Sequence, residues 1–364
     1  MRLANEAELP SPSLVLHWER VEDNLRRMLD VAGSAGRLRP HIKTHKLPQI
    51  VARQMALGIN KFKCATVAEA EMAATVGAAD VLLAMQPVGP NISRLLQLMR
   101  TFPRTQFSTI CDDPAALRDI ARSAAAAGLV VEVLVDLDVG QGRTGIAPGV
   151  RAQELYKMLL SERGVRPGGL HAYDGHLQQS DPAERGAACE AAFAPVDKLR
   201  TELRAMGLPL PRVVVGGTPT FPMHARRFGV ECSPGTCVLW DAGYASKLPD
   251  LHFLSAATVL TRVISRPEEG RLCLDLGHKA VASEMAHPRV VFPALPDARV
   301  LAHNEEHLVL ETIHAKNFVV GSVLHGIPWH VCPTVALHGT VQIAKKGRVD
   351  EEWPVTARTR RLSV

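Results

Sequence analysis

The segment Leu38-Arg39-Pro40-His41-Ile42-Lys43-Thr44-His45-Lys46 sets a lysine at the end of a short apolar run and among other cationic groups. An ammonium near positive charge and partly out of water gives up its proton more readily, and the neutral amine can form a Schiff base with an aldehyde. Taken alone, the segment also fits a basic loop that touches water or a phosphate. A second pattern lies near the C-terminus, Pro328-Trp329-His330-Val331-Cys332-Pro333-Thr334, with His338 six residues past Cys332. In an extended segment residues two apart share a face, so the imidazole of His330 and the sulfur of Cys332 could meet one metal ion. Two protein ligands leave positions for water and substrate, as a catalytic metal requires. The alternative is a buried thiol beside a hydrogen-bonded histidine. His278, Lys279 and Glu284 read as a further polar cluster, whereas His224, His252 and His287 read as isolated residues, at the surface or satisfied.

These residues need elements to position them. From residue 14 to about residue 241, short β-branched or apolar runs alternate with longer stretches rich in Ala, Leu, Arg and Glu, the rhythm of a parallel sheet with crossover helices. The strand candidates are residues 14–16, 38–42, 62–65, 81–85, 106–110, 130–136, 169–173, 213–216 and 236–240, with helical patterns at 67–76, 115–127 and 187–206. About eight repeats of strand then helix over roughly 230 residues predict a (β/α)8 barrel rather than an open doubly wound sheet. The first strand is not followed by GxGxxG, which agrees with that choice. Beyond residue 251 the apolar runs at 256–264, 271–276, 299–302, 307–310 and 340–343 are separated by turns, which predicts a mainly β domain. The expected division is a barrel over 12–245 and a β domain over 246–364, joined by residues 1–11.

A barrel of this kind carries its chemistry at the C-terminal ends of its strands. Lys43 follows the run ending at Ile42. Asp136, Asp138, Gln141 and Arg143 follow the run ending at Val135, and His171, Tyr173, Asp174, His176 and Gln178 follow Leu170. Two Gly/Thr-rich turns, Gly216-Gly217-Thr218-Pro219-Thr220 and Ser233-Pro234-Gly235-Thr236, offer backbone amides and hydroxyls late in the barrel, where a phosphate is often held. Either turn alone is an ordinary tight turn. A lysine, a phosphate cradle, an arginine and a tyrosine together are the parts of a pyridoxal phosphate site.

Composition limits the other possibilities. The chain has 364 residues, 46% hydrophobic and 22% charged, which suits a soluble globular protein with ample core. A formal net charge of +5, with no basic run beyond the 358–361 stretch, gives no reason to expect nucleic acid or a membrane surface as partner, and suits an anionic small molecule. No apolar run approaches the roughly 20 residues that span a bilayer, and the first residues, with acids at Glu6 and Glu8, lack a signal peptide's features, so the expected compartment is cytoplasmic. Seven scattered cysteines do not resemble a disulfide framework.

With both constellations in view, the chain resembles, over nearly its whole length, the D-threonine aldolase and D-serine dehydratase group of fold type III pyridoxal phosphate enzymes. The family's RPHxKxHK motif matches Arg39 to Lys46, implying that Lys43 carries pyridoxal 5'-phosphate as a Schiff base. Its DVGQGRxG segment matches Asp138 to Gly145, implying that Arg143 binds the cofactor's phenolic oxygen, and its AYxG segment implies that Tyr173 lies against or beside the pyridine ring. The turns containing Gly217, Thr218, Gly235 and Thr236 resemble the phosphate-binding segments, and the HxC/HxD metal motif falls on His330 and Cys332. The resemblance implies a (β/α)8 barrel followed by a β domain, a homodimer, and a divalent metal, Zn2+ with a thiolate ligand or Mn2+ or Mg2+ with a carboxylate. It implies retro-aldol cleavage of D-threonine and other D-β-hydroxy-α-amino acids to glycine and an aldehyde. The same residues could support D-serine or D-threo-3-hydroxyaspartate dehydration, or, without need of the metal pair, racemisation. A pyridoxal phosphate carrier of related fold would lack the C-terminal domain. Asp174 and His176 have no secure place in the family pattern.

Overall fold

Parallel pairing joins seven strands in chain order: Lys61–Cys64, Asp80–Leu83, Gln106–Cys111, Val131–Leu137, Val165–Ala172, Val213–Val215 and Glu231–Cys232. Residues 38–41 close the ring. Leu38 bridges to Cys232 and His41 to Lys63, both in parallel, with Arg39 N–H donating to the Cys232 carbonyl and Lys63 N–H to that of Pro40. The barrel expected from the rhythm is therefore present, with this short segment as its eighth strand. The computed structural model describes residues 2–363, so Met1 and Val364 lie outside the described residues.

The crossover helices start where local chemistry favours them. Thr66 caps the helix Val67–Val76 by accepting from Glu69 N–H at 3.2 Å, while the Glu69 carboxylate reaches back past the cap to accept from Ala65 N–H at 2.6 Å, a variant of the capping box. Asp113 and Asp181 cap the helices Pro114–Ala126 and Pro182–Ala205, each with proline at the first helical position, where no N–H is needed. Inside the ring, Leu82, Ile110, Leu134 and Val214 form one buried cluster, so the barrel is filled rather than hollow.

At one closing segment of the ring lies Arg39, whose side chain is wholly buried. Its guanidinium donates to both oxygens of Asp80 at 2.6 and 2.7 Å and to Glu231 at 2.7 Å. Burial would raise both carboxyls, but the Arg39 charge holds them below their usual range. Arg39→Met removes the cation from two half-desolvated acids and is expected to cost about 3–5 kcal/mol, read as a lower urea midpoint.

The second sheet has nine strands. Its path runs Arg299–His303, Leu308–Glu311, Arg271–Leu274, Ala257–Ser265, Ser13–His17, Thr340–Lys345 and Arg348–Pro354, with Val323–Pro328 pairing to Ala257–Ser265 and to Val290–Val291. The mainly β domain is thus as expected, but the first strand changes place. Ser13–His17 pairs antiparallel to Ala257–Ser265 and parallel to Thr340–Lys345, so it belongs to this sheet and not to the barrel. Leu3, Leu9, Val15, Leu260, Ala344 and Val349 pack as one buried cluster, which explains the exchange: the N-terminus completes the core of the β unit. At the other end, the strand expected at 236–240 is a 3-10 turn, Thr236–Val238, and the last barrel strand is Glu231–Cys232. By internal contacts the chain forms two compact units. One comprises the chain up to Met28, Thr44–Leu47 and Thr236–Arg358; the other Leu29–Lys43, Pro48–Gly235 and the residues from Thr359 onward. No helix among the described residues is long and apolar enough to cross a membrane, and none of the seven cysteines forms a disulfide there.

Candidate active site

Three basic side chains of the barrel unit gather around one aromatic ring. Lys43 Nζ lies 5.9 Å from the centroid of Tyr173, Arg143 Cζ 5.1 Å and Lys63 Nζ 5.3 Å. Lys43 stands in the 3-10 turn Ile42–Thr44, which takes over where the closing segment leaves the ring, and its N–H donates to His41 Nδ1 at 3.3 Å. Arg143 rides on the loop after Val131–Leu137. That loop is folded on Asp138, whose carboxylate accepts from Gly140 and Gly142 N–H at 2.9 and 3.1 Å. Gly145 closes it, because a Cβ there would meet Asp138 N at 2.5 Å and the backbone at Leu137 at 2.6 Å. The glycines of the DVGQGRxG segment are thus required by the turn that presents Arg143.

Tyr173 is held from the next loop. A Cβ at Gly217 would lie 2.9 Å from Tyr173 Cε2, so only glycine lets the two loops pack at this distance. The two Gly/Thr turns are also joined: Gly235 N–H donates to Thr218 Oγ1 at 3.1 Å, and Ser233 N–H to the Val215 carbonyl at 3.1 Å. Ser233 Oγ is buried and has no hydrogen-bond partner among the described residues. A buried hydroxyl left in this way, next to glycine amides at the C-terminal ends of the last two strands, suits an anionic oxygen. The barrel residues therefore fit a phosphate-bearing aldehyde, with Lys43 as the amine that would receive it.

Asp174, which has no secure place in the family pattern, is buried and held by its own partners. It accepts from Thr220 Oγ1 at 2.7 Å and is 2.7 Å from His224 Nε2, with Cys189 Sγ 3.5 Å from the same imidazole nitrogen. His224 is therefore neither isolated nor at the surface. These three residues form the one group of three metal-competent side chains among the described residues. The carboxylate and imidazole already satisfy one another, and the His224 Nδ1 atom has no partner to orient it as a ligand. The cluster reads as the brace that ties the Tyr173 loop to the Gly216–Thr220 turn. Burial would raise the Asp174 carboxyl, yet the bonds from His224 and Thr220 hold it below the usual carboxylate range. Its stabilisation is then fully present above about pH 4, the unfolded value, and is lost as pH falls through the lower folded value. Asp174→Ala is expected to cost about 3 kcal/mol at neutral pH, visible as a lower Tm. His176 is exposed and leans toward Gly140.

In the β unit, His330 and Cys332 hydrogen-bond to one another, but not because the segment is extended. His330 is the N-cap of the helix Val331–Leu337, and Cys332 lies in its first turn, where side chains of the cap and second position can approach. The cap is built from outside: buried Asp241 accepts Val331 N–H at 3.0 Å with one oxygen and Tyr244 N–H at 2.9 Å with the other. Glu284 bonds His330 Nδ1, the arrangement by which a carboxylate fixes an imidazole for metal ligation. Burial lowers the His330 pKa, but Cys332 and Glu284 outweigh it and raise the value to about 9. Thr44 Oγ1 lies 3.3 Å and Thr236 Oγ1 3.7 Å from Cys332 Sγ. The expected cluster of His278, Lys279 and Glu284 does not form. Lys279 pairs with Glu305 and Glu306, the His278 ring meets His303 at 6.1 Å, and Glu284 alone reaches His330. His338 is tied to the Ala280 carbonyl at 2.8 Å.

Comparison with known proteins follows these lines. Residues 16–240 match the family model described as alanine racemase, N-terminal domain, and residues 256–344 the one described as putative serine dehydratase domain. The chain is 33% identical to a D-threonine aldolase of an Arthrobacter species, over 97% of this chain and 93% of that one. The crystal structure of D-threonine aldolase from Filomicrobium marinum superposes with a TM-score of 0.89 at 33% identity, covering 97% of each chain. D-threo-3-hydroxyaspartate dehydratase from Delftia sp. HT23 superposes at 0.83 with 26% identity, covering 97% of this chain and 99% of the other. Two further structures of D-threo-3-hydroxyaspartate dehydratase carry alanine in place of a histidine and of a cysteine two positions apart, the cysteine variant in the metal-free form. By sequence and fold, the chain belongs to the D-threonine aldolase and D-serine dehydratase family, lyases among the fold type III pyridoxal phosphate enzymes with an alanine-racemase-like barrel.

Proposed function

We propose that the chain is a pyridoxal phosphate- and divalent metal-dependent D-threonine aldolase, cleaving D-threonine and related D-β-hydroxy-α-amino acids to glycine and an aldehyde. The observation that carries the reading is the gathering of Lys43 and Arg143 on the ring of Tyr173, against Gly217 and the paired Gly/Thr turns. Lys43 is the amine that receives the cofactor's aldehyde. Arg143 donates to its ring oxygen, and Tyr173 backs the ring. Gly217, Thr218, Gly235 and Thr236 supply amides and hydroxyls to the phosphate. His330 and Cys332 are the ligands of the divalent cation, with Glu284 fixing the imidazole. Pyridoxal phosphate, when bound, supplies an electron-withdrawing ring that stabilises negative charge at the amino acid's Cα. A divalent cation, when bound, lowers the pKa of a hydroxyl that it ligates. Lys43 is then free to hold or return a proton at Nζ.

A second reading, D-threo-3-hydroxyaspartate or D-serine dehydratase, is favoured by one observation: the chain has a cysteine two residues after a histidine, the spacing of the pair replaced in the dehydratase variants. A thiolate ligand points to Zn2+ more than to Mn2+ or Mg2+. Product analysis separates the two. The protein, supplied with pyridoxal phosphate and Zn2+ or Mn2+, is incubated with D-threonine, and with L-threonine as control. Glycine and acetaldehyde from the D isomer alone support the aldolase. Ammonia and 2-oxobutanoate contradict it and support the dehydratase.

A further inference from the structure

The barrel holds a second lysine that the reading above does not use. Lys63, on Lys61–Cys64, is one of the largest fully buried side chains. Its amine lies on the same tyrosine ring as Lys43 and Arg143, and the carboxylates whose charge reaches it, Asp136 and Asp174, are already hydrogen-bonded to His171 and to His224 and Thr220. Its hydrogen-bond partner is His171 Nε2 at 3.4 Å, and His171 Nδ1 lies 2.6 Å from Asp136. With the imidazole proton on Nδ1 donated to Asp136, Nε2 presents a lone pair to the lysine. The other charges that face it are committed: Arg39 to Asp80 and Glu231, and Asp174 to His224 and Thr220. A buried amine whose partner is a neutral imidazole is costly, and an apolar side chain of similar length would serve the core better.

We propose that Lys63, held by His171 and Asp136, is a positioning cation for an anionic oxygen of the loaded site, either the cofactor's or the substrate's carboxylate. The proposal rests on the reading that pyridoxal phosphate is received at Lys43. Burial, and then the charge of Lys43, lower the Lys63 pKa to about 7 in the unloaded chain, so at pH 8 the amine is mostly neutral. An anion placed beside it favours the ammonium, and one proton then passes from the buffer to Nζ. No other bond changes at this residue.

Proton uptake measures this directly. Apo-protein is titrated with pyridoxal phosphate at pH 8 by calorimetry in two buffers of different ionisation enthalpy, and D-threonine is added in a second step. The same is done with Lys63→Met. The wild-type chain is expected to take up between about half a proton and one more than Lys63→Met, since a group of pKa near 7 is largely unprotonated at pH 8. Excess uptake on loading assigns the oxygen to the cofactor, and excess on adding the amino acid assigns it to the substrate. Apo Lys63→Met is expected to melt at the same temperature or higher. Equal proton counts in both steps, or a lower Tm with equal counts, overturn the proposal and make Lys63 structural. A wild-type chain that does not load contradicts the reading of Lys43 and this one with it, whereas loading with equal counts contradicts Lys63 alone.

Discussion

Lys43→Ala is expected to lower turnover of D-threonine by roughly 10^3-fold or more, the scale for losing a residue that, on the proposed reading, both carries the cofactor and moves a proton. The fold is unaffected, because Lys43 is half-buried, donates no side-chain hydrogen bond among the described residues and lies beyond the strand segment that closes the ring. Far-UV circular dichroism and Tm are therefore expected to match the unchanged chain, while the variant is expected not to retain pyridoxal phosphate through dialysis. Retention of the cofactor with full turnover would remove Lys43 from the chemistry. The same experiment on Arg143→Met tests the neighbour that shares the ring: turnover is expected to fall while the cofactor is still retained.

On the proposed reading, His330→Ala and Cys332→Ala are each expected to lose the divalent cation and to reduce turnover on the order of 10²-fold or more, since disturbing even the groups that orient a metal ligand costs about 10- to 100-fold. Chelation of the unchanged protein is expected to give the same deficit, and added Zn2+ or Mn2+ to restore the protein but not the variants. Glu284→Gln keeps a polar partner for the imidazole and falls between the two. Metal content by elemental analysis accompanies each assay. Full turnover in metal-free His330→Ala would remove the cation from the reaction.

Much of this site is legible in the sequence because loop chemistry is local. The glycines of the Arg143 loop and the Gly/Thr turns stand where tight turns demand them, and the basic segment ending in Lys43 announces itself by composition. What is not legible depends on distant partners. Residues 14–16 read as a barrel strand because a short apolar run looks the same in either sheet. Their partner, Thr340–Lys345, is at the other end of the chain. The last barrel strand, Glu231–Cys232, is two residues long and leaves no periodic signal, so the apolar stretch after it was the stronger candidate. The His330 and Cys332 pair has the right spacing for the wrong reason, since the segment caps a helix that Asp241 anchors from 90 residues away. Lys63 carries a faint signal, a lysine between Phe62 and Cys64 in a strand. Its neighbour Lys61, on the same alternation, pairs with Glu231 and hides the difference.

The most direct test is to load the protein with pyridoxal phosphate, reduce it with borohydride and identify the modified residue by peptide mass spectrometry. The account requires the pyridoxyl group on Lys43 and on no other lysine. Modification of Lys63, or a chain that stays unmodified although it turns over D-threonine, would contradict it.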